Sequence, residues 1–414
     1  MFVSGLALFT ALVIYMLPAL VDDPPFIAPD LEPQRAPVPT EGNFALVLIE
    51  LGEIQELGDP DELAVAFDIA TEEGQLEEFL ASEAGARFLR EYWEPRRMVL
   101  GRLDAALDLP HCEFPPPPEM ALEKTNHAVL SLRPLADGLW KRVLLAELES
   151  GDAHLEALVS LVRFSARLSE ARNGTFIDYM GRVSTVVLAV HSSAQWLERS
   201  DSPTHMRRIL ELLFEIELDL TMVSRAIIED YAQLRDVVEN YDEFAELKNG
   251  SVGLLFLRQR TLRLAGEYYR DAIVEGESTS RVTTEFPLNN EPSIRSTLRE
   301  GNPVGQALLG MMLLDVPKIY AKQSQFVSLL DLTRLQFALR IRELESGSLP
   351  DSLEALVPEF FPAVPADPFT SNPYRFDPER RIVWGVGTDG VDDAGAADED
   401  ELKPDIVVDI PGPE

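Results

Sequence analysis

Residues 152–172 read DAHLEALVSLVRFSARLSEAR, and the reading of this stretch decides the fold class. Leu155, Leu158, Val159, Leu161, Val162, Phe164 and Leu168 recur at the three- and four-residue spacing of one helical face, while Arg163, Arg167, Glu170 and Arg172 fall elsewhere. The period is that of a helix burying one side, not of a strand. The pattern extends outward in both directions. Ser202-Pro203 supplies an N-cap and a first-turn proline for a helix through Met206, Ile209, Leu210, Leu213, Phe214 and Ile216. Gly151-Asp152, Asn173-Gly174, Asn249-Gly250 and the Gly-Asn-Pro at 301–303 break the chain between helices. Long helices joined by short turns predict antiparallel packing, as hairpins or an irregular solenoid, and no fixed period marks a named repeat. The apolar runs 186–190 and 304–314 are too short to span a bilayer and belong to the core.

Composition sets the partners. The chain has 414 residues, of which 46% are hydrophobic, enough for a large core in two domains or in one domain with an appendage. With 36 Lys plus Arg against 71 Asp plus Glu, the formal charge is −35. Such a polyanion repels phosphate backbones, which excludes nucleic acid as a partner. A single cysteine, Cys112, leaves no internal disulfide framework and no Cys-based metal centre.

Residues 1–21, MFVSGLALFTALVIYMLPALV, carry no charged side chain. A helix of that length covers ~30 Å, the thickness of a bilayer's hydrocarbon core. No small-x-small cleavage site precedes Asp22, so the segment reads as an uncleaved anchor. Asp22 and Asp23 follow it directly, which places the body outside the cytoplasm. The expectation is a single-pass protein of the inner (cytoplasmic) membrane with its body in the periplasm or extracytoplasmic space. Residues 22–42 hold six prolines, at 24, 25, 29, 33, 37 and 39, and read as an extended stalk of ~3.1 Å per residue, or as a linker without spacing duty. Next come an N-terminal helical subregion at 43–118, closed by the rigid run Pro115 to Pro118, a main helical array at 119–333 and a C-terminal module at 334–414.

Catalytic signatures are missing. The sequence has no Gly-x-Ser-x-Gly elbow, no phosphate loop, no dinucleotide fingerprint and no His-Glu-x-x-His. His111, His127, His154, His191 and His205 are scattered without zinc-ligand spacing. His111 and Cys112 are adjacent, but chain neighbours diverge in direction, and a buried thiol is the expectation. Carboxylates are too abundant for any spacing to select a pair. The reading is therefore non-catalytic, an interaction or scaffold protein with protein partners; a hydrolase using Asp and Glu in a groove of the helical array is the alternative.

The C-terminal residues are the most specific. An amphipathic helix through residues 335–343 stops at Ser346-Gly347. Asp351 and Glu354 have capping-box spacing for a short second helix ended by Pro358. Pro365-Ala366-Asp367-Pro368-Phe369 turns the chain, and Pro373-Tyr374-Arg375-Phe376 with Arg381-Ile382-Val383-Trp384 predicts a hairpin closed near Asp377-Pro378. Asp405-Ile406-Val407-Val408-Asp409-Ile410 supplies a last strand.

Taken in order, Ser346-Gly347-Ser348-Leu349-Pro350, Asp367-Pro368-Phe369, Pro373-Tyr374, Gly387-Thr388-Asp389-Gly390 and Asp405-Ile406 resemble the C-terminal module of the type II secretion major pseudopilin. The helical body, with Asn302-Pro303-Val304-Gly305, resembles uncharacterised envelope proteins of planctomycete-like bacteria, which implies no activity. The pseudopilin resemblance implies a structural Ca²⁺ held by Asp389, Asp405 and the Val386 carbonyl. Asp392 and Asp393 are added from chemistry, because Ca²⁺ takes six to eight oxygens and one loop can converge them. The resemblance also implies a tie to a secretion or pilus-like machine. An ordinary pseudopilin subunit is a third reading, but the anchor lies some three hundred residues upstream of the module, and Gly5-Leu6-Ala7-Leu8-Phe9-Thr10 lacks the glutamate and basic leader of the processing site. The expected fold is mainly α: an N-terminal membrane helix, an antiparallel helical array and a small C-terminal α+β pseudopilin-like module.

Overall fold

The computed structural model describes residues 21–52, 62–115, 127–148, 152–241, 256–278, 302–396 and 405–412. The expected anchor, apart from Val21, lies outside the described residues. Among the described residues no helix is long and apolar enough to cross a membrane. The chain is mainly helical with one small antiparallel sheet, and it divides into two compact units that do not follow chain order. The larger comprises 35–116, 125–219 and 323–414; the smaller comprises 1–34, 117–124 and 220–322.

In the larger unit, α1 (Phe44–Gly52), α2 (Glu62–Glu72), α3 (Leu76–Ala81) and α4 (Glu83–Arg87) lead into a π-helical segment, Phe88–Trp93, and α5 (Glu94–Ala106). The longer helices α6 (His127–Glu147), α7 (Ala153–Ser169), α8 (Phe176–Glu198) and α9 (Pro203–Glu215) follow. All seven apolar residues of the α7 stripe are buried, so the helical period does put one face in the core. Thr175 and Asp178 form a capping box at the start of α8, and the Ser202 hydroxyl accepts the His205 amide at the start of α9. Arg199 at the end of α8 pairs with Glu147 at the end of α6, and Arg208 on α9 pairs with Glu156 on α7. These pairs join helices that are not neighbours in sequence.

The smaller unit holds α10 (Leu220–Glu239), α11 (Arg258–Ser278) and α12 (Pro303–Met312). Tyr231 on α10 meets Tyr269 on α11 edge to face, with ring centroids 6.1 Å apart. Asn302 caps α12 through its side-chain oxygen, which accepts the Leu257 and Gly305 amides, while its amide group donates to the Leu257 carbonyl and the Thr261 hydroxyl. Residues 22–34 correct the expectation of a free stalk. They fold back on α10 and α11, with a 3-10 turn at Pro29–Leu31 and Ala28 and Leu31 buried. The prolines keep the segment extended, and a row of ion pairs described below holds it down.

Helix α13 (Val316–Ser346) begins in the smaller unit and, from residue 323, belongs to the larger. There Phe337 stacks on Trp196, ring centroids 6.3 Å apart. The expected second helix is a single 3-10 turn, Leu353–Leu356, whose N-cap is Ser352 rather than Asp351 and makes no side-chain cap bond. Residues three apart eclipse on such a turn, and Leu353 and Leu356 accordingly face the core together. Strands β1 (Arg375–Asp377), β2 (Ile382–Gly385) and β3 (Ile406–Asp409) form an antiparallel sheet in chain order, with Asp377 opposite Ile382 and Ile382 opposite Asp409. Every residue of β2 is buried. The Gln336 amide donates to the Asp409 carbonyl at 2.6 Å, fastening β3 to α13.

Candidate functional site

The loop from β2 to β3 holds the carboxylates singled out from sequence. Its entrance is set by Asp367, which is fully buried in the turn before β1. One Asp367 oxygen accepts the Phe369 amide at 2.9 Å and the other accepts the Val386 amide at 2.9 Å, so the turn and the loop entrance are fixed to each other. Gly385 is required beside it, since a Cβ there would stand 2.8 Å from the Tyr374 ring. Beyond Val386, which is buried, Asp389 accepts the Val391 amide at 2.9 Å and closes a local turn.

Asp392 is engaged by the sheet. Its Oδ1 accepts the Trp384 indole N–H at 3.1 Å and the Ala394 amide at 3.1 Å; its Oδ2 accepts from Arg375 Nε at 2.6 Å. Burial works against its charge, but these three donors hold its carboxyl below the ordinary aspartate range.

Asp405 behaves oppositely. It is 5% exposed; its Oδ2 accepts the Gly395 amide at 2.8 Å, and its Oδ1 is buried with no hydrogen-bond partner among the described residues. Burial pushes its pKa up, the charges of Asp392 and Asp393 push the same way, and the Gly395 and Asp393 amides pull back only in part. A buried carboxylate oxygen without a donor, flanked by two more carboxylates, fits a hard cation. Asp392 fits less well, because its oxygens already serve Trp384, Ala394 and Arg375. Among the described residues no group of three or more His, Cys, Asp or Glu side chains stands close enough to hold a metal.

Two cavities lie elsewhere in the larger unit. One, of about 580 Å³, is lined by Gln75, Glu77, Leu144, Glu147, Gln195 and Arg199, among others. The second, of about 270 Å³, is lined by His111, Cys112, Glu113, Glu170, Arg172 and Glu217, together with Pro110. Cys112 is 4% exposed, and burial pushes its thiol up to about 12, so it is a core residue and not a nucleophile in waiting. The Glu113 carboxylate accepts the Arg172 and Asn173 amides.

A buried polar cluster escaped sequence reading. Lys141 is wholly buried on α6, with Nζ 2.7 Å from Asp68 Oδ1 and 2.6 Å from Asp137 Oδ1. The Tyr92 hydroxyl donates to the other Asp137 oxygen at 2.9 Å, and Arg96 lies 3.5 Å over the Tyr92 ring. Tyr92 belongs to the π-helical segment, and such turns re-aim side chains. The four-residue spacing of Asp137 and Lys141 was the one visible signal.

No protein-family model, curated protein or solved structure matches this chain.

Proposed function

We propose that the chain is a membrane-anchored, extracytoplasmic interaction or scaffold protein, accessory to a secretion or pilus-like system, whose C-terminal module is shaped by a structural Ca²⁺. The observation that carries this reading is the unpartnered buried oxygen of Asp405 between like charges. Asp405 would hold the ion first. Asp393, Asp389 and the Val386 carbonyl supply further oxygen, and Asp392 keeps Trp384 and Arg375 in register beside them. A bound cation supplies the positive charge that this carboxylate crowd lacks. Asp405 then joins the loop to β3, and the module presents one fixed face to a protein partner.

The test is calcium titration of the full chain in detergent, followed by thermal melting. Millimolar Ca²⁺ raises the melting temperature, by the equivalent of about 2.7 kcal/mol at a hundredfold excess over the dissociation constant. Asp405→Asn removes that rise and, because it removes a buried charge, does not lower the calcium-free melting point. An unchanged melting curve in calcium overturns the ion. Affinity capture from gently solubilised membranes tests the scaffold role, which fails if no partner recurs above background.

A further inference from the structure

Residues 22–30 are pinned along the first part of α11, from Gln259 to Arg270, and Glu32 is pinned to α10. The carboxylate of Asp22 accepts the backbone amides of Gln259 and Arg260, each at 3.0 Å, so a residue more than two hundred positions away caps that helix. The Phe26 amide donates to Gln259 Oε1 at 2.8 Å. Asp23 takes Arg260 at 3.3 Å and Arg263 at 2.7 Å, Asp30 takes Arg270 at 2.5 and 2.9 Å, and Glu32 takes Arg235. The Phe26 ring lies so close to Gly266 that a Cβ there would be 2.4 Å from it.

This strap reaches as far as Val21, whose carbonyl accepts from Arg260 at 2.9 Å. Val21 is the last residue of the uncharged stretch, and it sits at the N-terminal end of α11. The same end carries an aromatic pair, Tyr241 after α10 and Phe256 before α11, with ring centroids 4.6 Å apart and Arg258 5.6 Å over Phe256. Aromatic rings and arginines are the side chains that settle at a bilayer's headgroup level, apolar body inward and polar tip in water. We infer that this end of the smaller unit rests on the phospholipid headgroups, held there by the strap, where a stalk would have carried it away. The inference depends on the anchor reading of residues 1–21 and goes beyond it, since an anchor alone fixes neither the distance nor the face.

The experiment uses the full chain in phosphatidylcholine liposomes. An environment-sensitive dye is attached at Asn240→Cys, next to Tyr241, or at Val274→Cys, sixteen residues beyond Arg258 and therefore ~24 Å along α11. Buried Cys112 does not compete for the label. A headgroup spin-labelled lipid is expected to quench the dye at 240 several-fold more than at 274. Replacing Asp22, Asp23 and Asp30 together by Ala lowers quenching at 240 to the level at 274 while the protein still floats with the liposomes. Equally weak quenching at both sites in the unaltered strap overturns the inference and leaves the anchor standing. Loss of flotation after a carbonate wash overturns the anchor, and the inference with it. Because the two labelled sites are compared first with the strap intact, misfolding of the triple variant does not blunt the test.

Discussion

Glu343 on α13 and Arg381 in the β1–β2 turn form a bidentate ion pair, Nη1 to Oε1 at 2.7 Å and Nη2 to Oε2 at 2.9 Å. Arg340 adds a third bond to Oε2 at 2.8 Å, and Arg381 Nε also donates to the Ile410 carbonyl at 3.1 Å. One turn residue therefore ties the long helix, the hairpin and the end of β3 together. The bond from Arg381, with Arg340 assisting, holds the Glu343 carboxyl below its ordinary value despite burial. A lowered acid pKa contributes stability that is complete above the unfolded value of 4.5 and is lost as pH falls through the folded value. Glu343→Gln is expected to cost about 1.5–3 kcal/mol at pH 7 in urea unfolding, with the difference from the parent shrinking below pH 4.5. A difference that does not change with pH refutes the assignment.

The Lys141 cluster predicts an asymmetry. Removing both Asp68 and Asp137, as Asn, leaves a wholly buried ammonium without a counter-charge and should cost about 3–5 kcal/mol. Lys141→Met leaves two carboxylates whose side chains are 37% and 32% exposed and can be hydrated, so it should cost less. Chemical unfolding of the variants gives the order, and a Lys141→Met protein less stable than the double Asn variant contradicts it.

What sequence could and could not show follows the range of each interaction. The α7 stripe, the Ser202 cap and the Asp377–Ile382 hairpin were legible because their determinants lie within a few residues of each other. The strap was not, since Asp23 meets Arg263 and Glu32 meets Arg235 across more than two hundred residues, and a Pro-rich segment reads the same whether it stands free or is clamped. In the loop, Asp405 was legible as an acid at a strand start. The diversion of Asp392 was not, because Arg375 and Trp384 reach it only after the β1–β2 register makes them cross-strand partners. Asp367, read as a turn residue, takes its second role only when the loop returns to offer the Val386 amide.

That second role separates two aspartates. Asp367→Ala strands a buried Val386 amide and should cost about 1–3 kcal/mol, whereas Asp389→Ala loses one bond in a partly exposed turn and should cost well under that. Thermal or urea unfolding of both variants measures it; equal losses would mean that Asp367 fixes nothing beyond its own turn.

For Cys112, the thiol's burial and its pKa of about 12 predict no reaction with a disulfide reagent at pH 8 in the folded protein and one equivalent after unfolding. Stoichiometric labelling of the native chain would show that the cavity beside His111 opens onto the sulfur.

Asp405 gives a dependence on pH opposite in sign to that of Glu343. Its pKa is raised in the fold by burial and by Asp392 and Asp393, so its favourable contribution is complete below the unfolded value of 3.8 and is lost as pH rises through the folded value. Without metal, ionising Asp405 therefore destabilises the loop. With calcium the ionised form is the one that binds, so the stabilisation by calcium should grow from near zero below pH 3.8 to a plateau above the folded pKa. Melting the full chain at several pH values, with calcium or with chelator, reads both curves. Asp405→Asn should flatten the chelator curve in that window and remove the calcium increment together, because one oxygen atom is responsible for both; losing either effect alone would place the cation elsewhere.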